Sequence, residues 1–117
     1  MDRSKAGRQG EEHAARVLEK AGLNIIARNV RSPYGEIDLI ALEGETVVFV
    51  EVKAWKAFGV EDLRDSVGKR KQLRIIETAK DFLANHEEFD EFSIRFDVVF
   101  IGPQKVAHIP SAFMEET

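Results

Sequence analysis

Asp38, Glu51 and Lys53 have the types and the spacing for hydrolytic chemistry. They lie in GEIDLIALEGETVVFVEVK, residues 35–53, where two apolar runs flank a Glu43-Gly44 turn signal. Side chains alternate along a strand. Glu36, Asp38 and Ile40 therefore share one face of the first run, and Val47, Phe49, Glu51 and Lys53 share one face of the second. A loop of about two residues would pair Leu42 with Glu45 and set Asp38 against Phe49; one of about four would pair Leu42 with Val47 and set Asp38 against Glu51. Either even loop brings Asp38, Glu51 and Lys53 to one face, and an odd loop without a compensating bulge does not.

Two carboxylates a strand apart repel, and enclosing them is unfavourable unless something pairs with them. A hard divalent cation relieves the repulsion. Mg²⁺ prefers oxygen ligands and keeps several waters, so one or two carboxylates suffice. Lys53 reaches the same pocket, where its ammonium can orient an attacking water or stabilise charge on a phosphate. A metal-held water beside such a lysine is equipment for phosphodiester hydrolysis. The ligand-free alternative is a cross-strand ion pair of Lys53 with Asp38 or Glu51.

Ala14, Val17, Leu18 and Ala21 recur at helical spacing, with a start near Ser4 to Arg8 and Gly22 as the stop. LNIIARNV reads as a strand and Ser32-Pro33-Tyr34-Gly35 as a turn. Strands follow at Glu36–Leu42 and Thr46–Ala54. The VVFVEV run within the latter predicts a central strand covered on both faces. Leu63, Val67, Leu73, Ile76, Ala79, Phe82 and Leu83 read as a helix broken near Gly68. SIRFDVVFI is a further strand, and KVAHIP an edge strand that Pro110 closes. This order predicts an α/β fold with a mixed sheet of about five strands and helices packed on it, α-β-β-β-α-β-β.

The chain has 117 residues, which predicts one domain over 1–117. No apolar run approaches the ~18 residues of a membrane span. The N-terminal residues carry charge with no apolar core behind them, unlike a secretory signal. With no cysteine, disulfides, Cys-zinc sites and thiol catalysis are excluded, and a cytoplasmic setting is expected. Neither a P-loop, a GxGxxG nor a GxSxG stretch is present, so no organic cofactor is expected. His13, His86 and His108 are scattered and read as ordinary residues. Net charge is −4, which argues against simple coating of nucleic acid, but its distribution is uneven. Residues 1–74 balance at +2 and 75–117 at −6, with RDSVGKRKQLR (Arg64–Arg74) the most basic stretch.

Asp38 followed on the next strand by Glu51-Val52-Lys53 resembles the D…ExK signature of the PD-(D/E)xK nuclease superfamily. More specifically, the chain resembles the YraN family of small proteins. The matching pieces are GEEHAARVLEKAGL, GEIDLIALEGETVVFVEVK, VGKRKQLRIIETAKDFL and RFDVVF, with the final HIPSAF also fitting. The resemblance implies a restriction-endonuclease-like fold related to archaeal Holliday-junction resolvases, which cut DNA as dimers. It implies Asp38 and Glu51 as metal ligands with the Val52 carbonyl, Lys53 as the catalytic lysine, and Mg²⁺ as cofactor with Mn²⁺ able to substitute. The family's helix-one acid, a further metal ligand, falls on Glu11, and helical phase agrees: Glu11 stands at the edge of the inward face while Glu12 points away. The alternative for Glu11 is a carboxylate favoured by the helix N-terminal dipole. Glu36, on the site face, is a supporting acid or a surface ion-pair partner. Lys71 matches a basic position on the family's second helix and is read either as a phosphate contact, with Lys69, Arg70 and Arg74 extending the patch, or as part of a solvated helix face. Asp97 either forms a structural salt bridge with Arg95 or supports the site. The family often continues after the lysine with Thr-Arg; here Ala54-Trp55-Lys56 follows, and Trp55 either stacks on a base or packs under the next loop.

The expected function is metal-dependent endonucleolytic hydrolysis of DNA, in branched or damaged substrates, with a homodimer supplying two cutting sites. The competing expectation is a non-catalytic nucleic-acid-binding or adaptor protein on a nuclease fold. A third is a structural ion-pair cluster in an interaction domain.

Overall fold

The computed structural model describes residues 5–54 and 67–115. Trp55, Lys56, Leu63 and Arg64 lie outside the described residues. Helix α1 spans Lys5–Lys20 and turns Ala14, Ala15 and Leu18 fully inward. It stops at Gly22, whose φ of 97° is the left-handed conformation that glycine takes at least strain. The Leu23 amide donates to the Leu18 carbonyl and the Gly22 amide to that of Glu19, the paired bonds of a Schellman stop.

Strands β1 (Asn24–Ser32), β2 (Gly35–Glu43), β3 (Thr46–Ala54), β4 (Ser93–Ile101) and β5 (Val106–Phe113) form one sheet in sequence order. All neighbours are antiparallel except β3 and β4, which run parallel. The chain crosses between those two through helix α2 (Lys69–Ala84) and a short 3₁₀ turn at Glu87–Phe89. The expected mixed five-stranded α/β architecture and element order are therefore present. No helix among the described residues is long and apolar enough to cross a membrane.

β3 lies at the centre of the sheet and is apolar on both faces for that reason. Val48 and Val50 pack with Leu39, Ala41 and Val99 against α1. Val47 and Phe49 pack with Ile40, Phe82 and Phe96 against α2. Phe49 stacks on Phe96 at a centroid distance of 5.6 Å and meets Phe82 edge-on at 6.0 Å. The β2–β3 hairpin pairs Leu42 with Val47 and closes one pair further, at Glu43 and Thr46. Its tip is Gly44-Glu45, with Gly44 at φ 58° supplying the left-handed position that a tight hairpin needs.

Two local expectations are corrected. Leu73 was expected on the inward face of α2 but is 60 % exposed; Ile75, Ile76, Thr78, Ala79 and Phe82 form that face. Gly68, where a break in the helical pattern is expected, is the N-cap of α2; the part of that pattern before residue 67 lies outside the described residues. Pro110 does not end β5, which runs on to Phe113. Between the pairs Val98–Ile109 and Phe96–Phe113 the outer strand carries extra residues, and Pro110 sits in that bulge beside Ser111 at φ 51°. A bulge on an edge strand asks no ladder hydrogen bond of proline.

Candidate active site

The β2–β3 ladder runs from Glu43–Thr46 to Leu39–Val50 and stops there, although both strands continue. Beyond that point β2 stays with β1, through Ile37, Glu36 and Gly35, and β3 stays with β4, through Glu51 to Ala54. The sheet therefore forks. The Val52 amide, which a continued ladder would have engaged, donates instead to Asp38 Oδ2 at 2.8 Å. Asp38 ends the ladder and holds its own carboxylate at the root of the fork.

A cleft of about 470 Å³ opens there. Its floor carries Asp38, Glu51, Val52 and Lys53; α1 contributes Glu11, and α2 contributes Lys71 and Arg74. Glu36 and Gly35 form the β2 rim, where Glu36 Oε2 lies 3.5 Å from Arg31 Nε in the surface ion pair that is one of its two expected roles. Asp38, Glu51 and Glu11 are each less than a tenth exposed. The register extended by one residue sets Asp38 against Glu51, and the two carboxyl groups are within hydrogen-bonding reach of one another. Burial first, and the Asp38 charge second, push the Glu51 carboxyl up to about 7, against the opposing pull of Lys71. Lys71 Nζ stands 2.5 Å from Glu51 Oε2.

That ion pair was not foreseen: the cationic partner of Glu51 comes from α2 and not from the neighbouring strand. A signal for it exists in the sequence, because Lys71 keeps helical phase with Ile75, Thr78 and Phe82 of the inward stripe. The turn that rims the cleft is also tied to α2. Ser32 Oγ and Thr78 Oγ1 are 2.8 Å apart, and the Tyr34 amide donates to Ser32 Oγ at 3.0 Å. Gly35 passes so near α2 that a Cβ there would lie 3.3 Å from Arg74 Cβ. A second groove of about 360 Å³ continues from the cleft past Glu36 and Arg74 to Arg31 and Tyr34, the last 53 % exposed.

Lys69 and Arg70 are exposed in the first turn of α2 and do not line the cleft. Asp97 stands elsewhere. It is fully buried in β4, opposite Val50, and takes Arg95 Nε and Nη2 at 2.9 and 3.0 Å. His108 Nε2 lies 2.7 Å away, and the Ser111 amide donates at 3.0 Å. Burial pushes the Asp97 carboxyl up, but hydrogen bonds from His108, Arg95 and the Ser111 amide hold it below its ordinary value. Of the two roles expected for Asp97, the geometry is that of the salt bridge. It clamps the β5 bulge to β4, and His108 takes part in the clamp.

The donors at the fork suit a small hard cation: two carboxylates converge there, with Val52 between them on the lining. Glu11 and Glu36 face the same cleft, but among the described residues no three His, Asp or Glu side chains are placed to hold one ion. A cation at the fork would rest on Asp38 and Glu51, with the Val52 carbonyl and solvent to complete its shell.

The forked sheet with one helix on each face is a resolvase-like nuclease fold. It is similar to the solved structure of Hjc, a Holliday junction resolvase from Archaeoglobus fulgidus, with a TM-score of 0.57 over 97% of this chain and 79% of that one. Sequence identity to it is 21%, so this likeness speaks for the fold. The chain itself belongs to the uncharacterised protein family UPF0102, the YraN family, whose model matches residues 10–101. A UPF0102 protein of Treponema pallidum (strain Nichols) is 46% identical over 92% of this chain and 90% of its own length. One from Rhodococcus opacus (strain B4) is also 46% identical, over 92% and 94%. One from Rhodopseudomonas palustris (strain BisB18) is 42% identical, over 93% and 80%.

Proposed function

We propose that this protein is a divalent-metal-dependent endonuclease that hydrolyses DNA phosphodiester bonds in branched or damaged DNA, as a homodimer in the cytoplasm. The observation that carries this reading is the facing pair of enclosed carboxylates, Asp38 and Glu51, with Lys53 in the same cleft. Two enclosed acids facing one another raise each other's energy, and burial together with the Asp38 charge pushes the Glu51 carboxyl up even with Lys71 beside it. Asp38 and Glu51, with the Val52 carbonyl, would hold Mg²⁺ or Mn²⁺; Glu11 and Glu36 would act through waters around it. When bound, such an ion supplies an activated water and neutralises charge on the phosphate oxygens.

The chain's own residues do the rest. Asp38 is held in place by the Val52 amide and is preorganised before any ligand arrives. Lys53 orients the attacking water and faces the charge that develops on the phosphate. Arg74, at the junction of cleft and groove, is placed to take a neighbouring phosphate. The groove beyond it offers Tyr34 for a base with an open face, and Arg31, which pairs with Glu36 through an exposed contact, for a further phosphate. A strand with unpaired bases fits that path better than a continuous duplex, which supports the branched or damaged substrate.

One observation favours the second reading, a non-catalytic nucleic-acid-binding or adaptor protein. Glu51 already has a cationic partner in Lys71, as a retired site would. The test is to incubate the protein with linear duplex, single-stranded and four-way-junction DNA in Mg²⁺ or Mn²⁺, beside Lys53→Met. The nuclease reading expects cleavage that falls by roughly 10²–10³ in the variant while calorimetry shows the metal still bound. DNA binding without cleavage would establish the second reading. Equal cleavage by the variant would place the activity elsewhere.

A further inference from the structure

We infer that Lys71 is a displaceable counter-cation: its ammonium occupies the Glu51 carboxylate in the metal-free protein, a divalent ion must displace it, and the freed ammonium then serves the DNA backbone. This rests on the metal-dependent reading above and adds a residue that controls how the site fills.

The two ends of the ion pair are unlike. The Glu51 side chain is 5 % exposed and that of Lys71 is 51 % exposed. Glu51 is fixed in the central strand, packed among core residues on either side. The backbone of Lys71 is equally fixed, because Ile75, Ile76 and Ala79 anchor α2 to the sheet. Its ammonium is nonetheless carried on a flexible four-carbon stem with half its surface in solvent. Only the lysine end can leave, and it can do so without moving the fold.

Leaving is also expected on electrostatic grounds. Ammonium and a divalent ion both seek Glu51 Oε2, and with the metal on that oxygen the two cations repel. Asp38 adds a second negative charge that a doubly charged ion satisfies better than a single ammonium. The swinging lysine would stay at the cleft wall beside Arg74, where a phosphate oxygen is its natural next partner. The pair thus lowers the penalty of enclosed charge while the site is empty of metal and gives a phosphate ligand once it is filled.

The test is isothermal titration of Mg²⁺ and Mn²⁺ into wild type, Lys71→Met and Lys71→Arg. Removing the competitor should tighten metal binding about threefold to fivefold in Lys71→Met, the conversion of one modest ion pair. Lys71→Arg keeps the charge and should stay near wild type. Thermal melting in EDTA reports that each variant is folded. If wild type binds metal and Lys71→Met binds it equally or more weakly, the inference falls while the nuclease reading stands. If Lys71→Arg tightens binding as far as Lys71→Met, charge is not what competes and the inference falls. If neither wild type nor Lys71→Met takes up either metal, both fall together. For the released ammonium, junction-DNA affinity should drop in Lys71→Met in Ca²⁺ and be unchanged in EDTA. An equal drop in both conditions overturns that part.

Discussion

Asp38 Oδ2 accepts the Val52 amide proton at 2.8 Å, so the acid that faces Glu51 is also the group that ends the β2–β3 ladder. One carboxylate does both jobs because it sits at the last residue before the strands part. The two jobs separate chemically. Asp38→Asn keeps an acceptor for the amide and removes the charge; Asp38→Ala removes both. In EDTA, Asp38→Asn should be at least as stable as wild type, since repulsion with Glu51 is gone. Asp38→Ala should be less stable than Asp38→Asn by about 1 kcal/mol, the usual worth of one such bond. Both should lose stabilisation by Mg²⁺. Urea melts with and without the metal measure all three quantities, and equal stability of the two variants in EDTA would contradict the capping role.

The Glu51 carboxyl gives a pH dependence of definite sign. Its folded value, about 7, lies above the ordinary 4.5, so the folded protein holds the proton more tightly than the unfolded chain. The resulting stability is complete below about pH 4.5 and is lost as pH rises through 7. The loss is of order 3 kcal/mol. Without divalent ions, the urea midpoint should therefore fall between pH 5 and 8, and Glu51→Gln should flatten that fall. Metal affinity should rise over the same window, because binding selects the carboxylate.

Asp97 predicts the opposite limb. Its carboxyl is held below the ordinary 3.8, so its stabilisation is present above that pH and is lost as pH falls through the lowered value. Asp97→Ala leaves His108 and the Ser111 amide without their acceptor and Arg95 with Glu43 as its remaining partner, and should cost about 1–3 kcal/mol. Mg²⁺ affinity should not change, because the clamp lies outside the cleft. Chemical denaturation and calorimetry on the same variant check both statements. A metal affinity as weak as that of Asp38→Asn would return Asp97 to the site.

Tyr34 is held outward by a turn tied to α2 through Ser32 and Thr78. If a base stacks there, Tyr34→Ala should weaken binding of single-stranded DNA by about 1–3 kcal/mol, and Tyr34→Phe should leave it unchanged. Fluorescence anisotropy in EDTA reads this without cleavage. A loss in Tyr34→Phe equal to that in Tyr34→Ala would point to the hydroxyl and not the ring.

Features governed by neighbours along the chain were legible before any packing, apart from the face of Leu73 and the end of β5. Helical phase put Ala14 and Leu18 inward, Gly22 closed α1, and a doubly apolar run marked β3 as central. Strand alternation also brought Asp38, Glu51 and Lys53 to one place, because it follows from covalent geometry and survives either even hairpin loop. Tertiary structure decided what alternation cannot reach. It chose the register that opposes Asp38 to Glu51, and it parted β2 from β3 just beyond them. By laying α2 across the fork it gave Glu51 its ion pair with Lys71, and it drew Asp97 into the β5 clamp with His108. The reason is physical: an enclosed charge takes whichever partner the packing of distant elements brings near, and that packing is a property of the whole core.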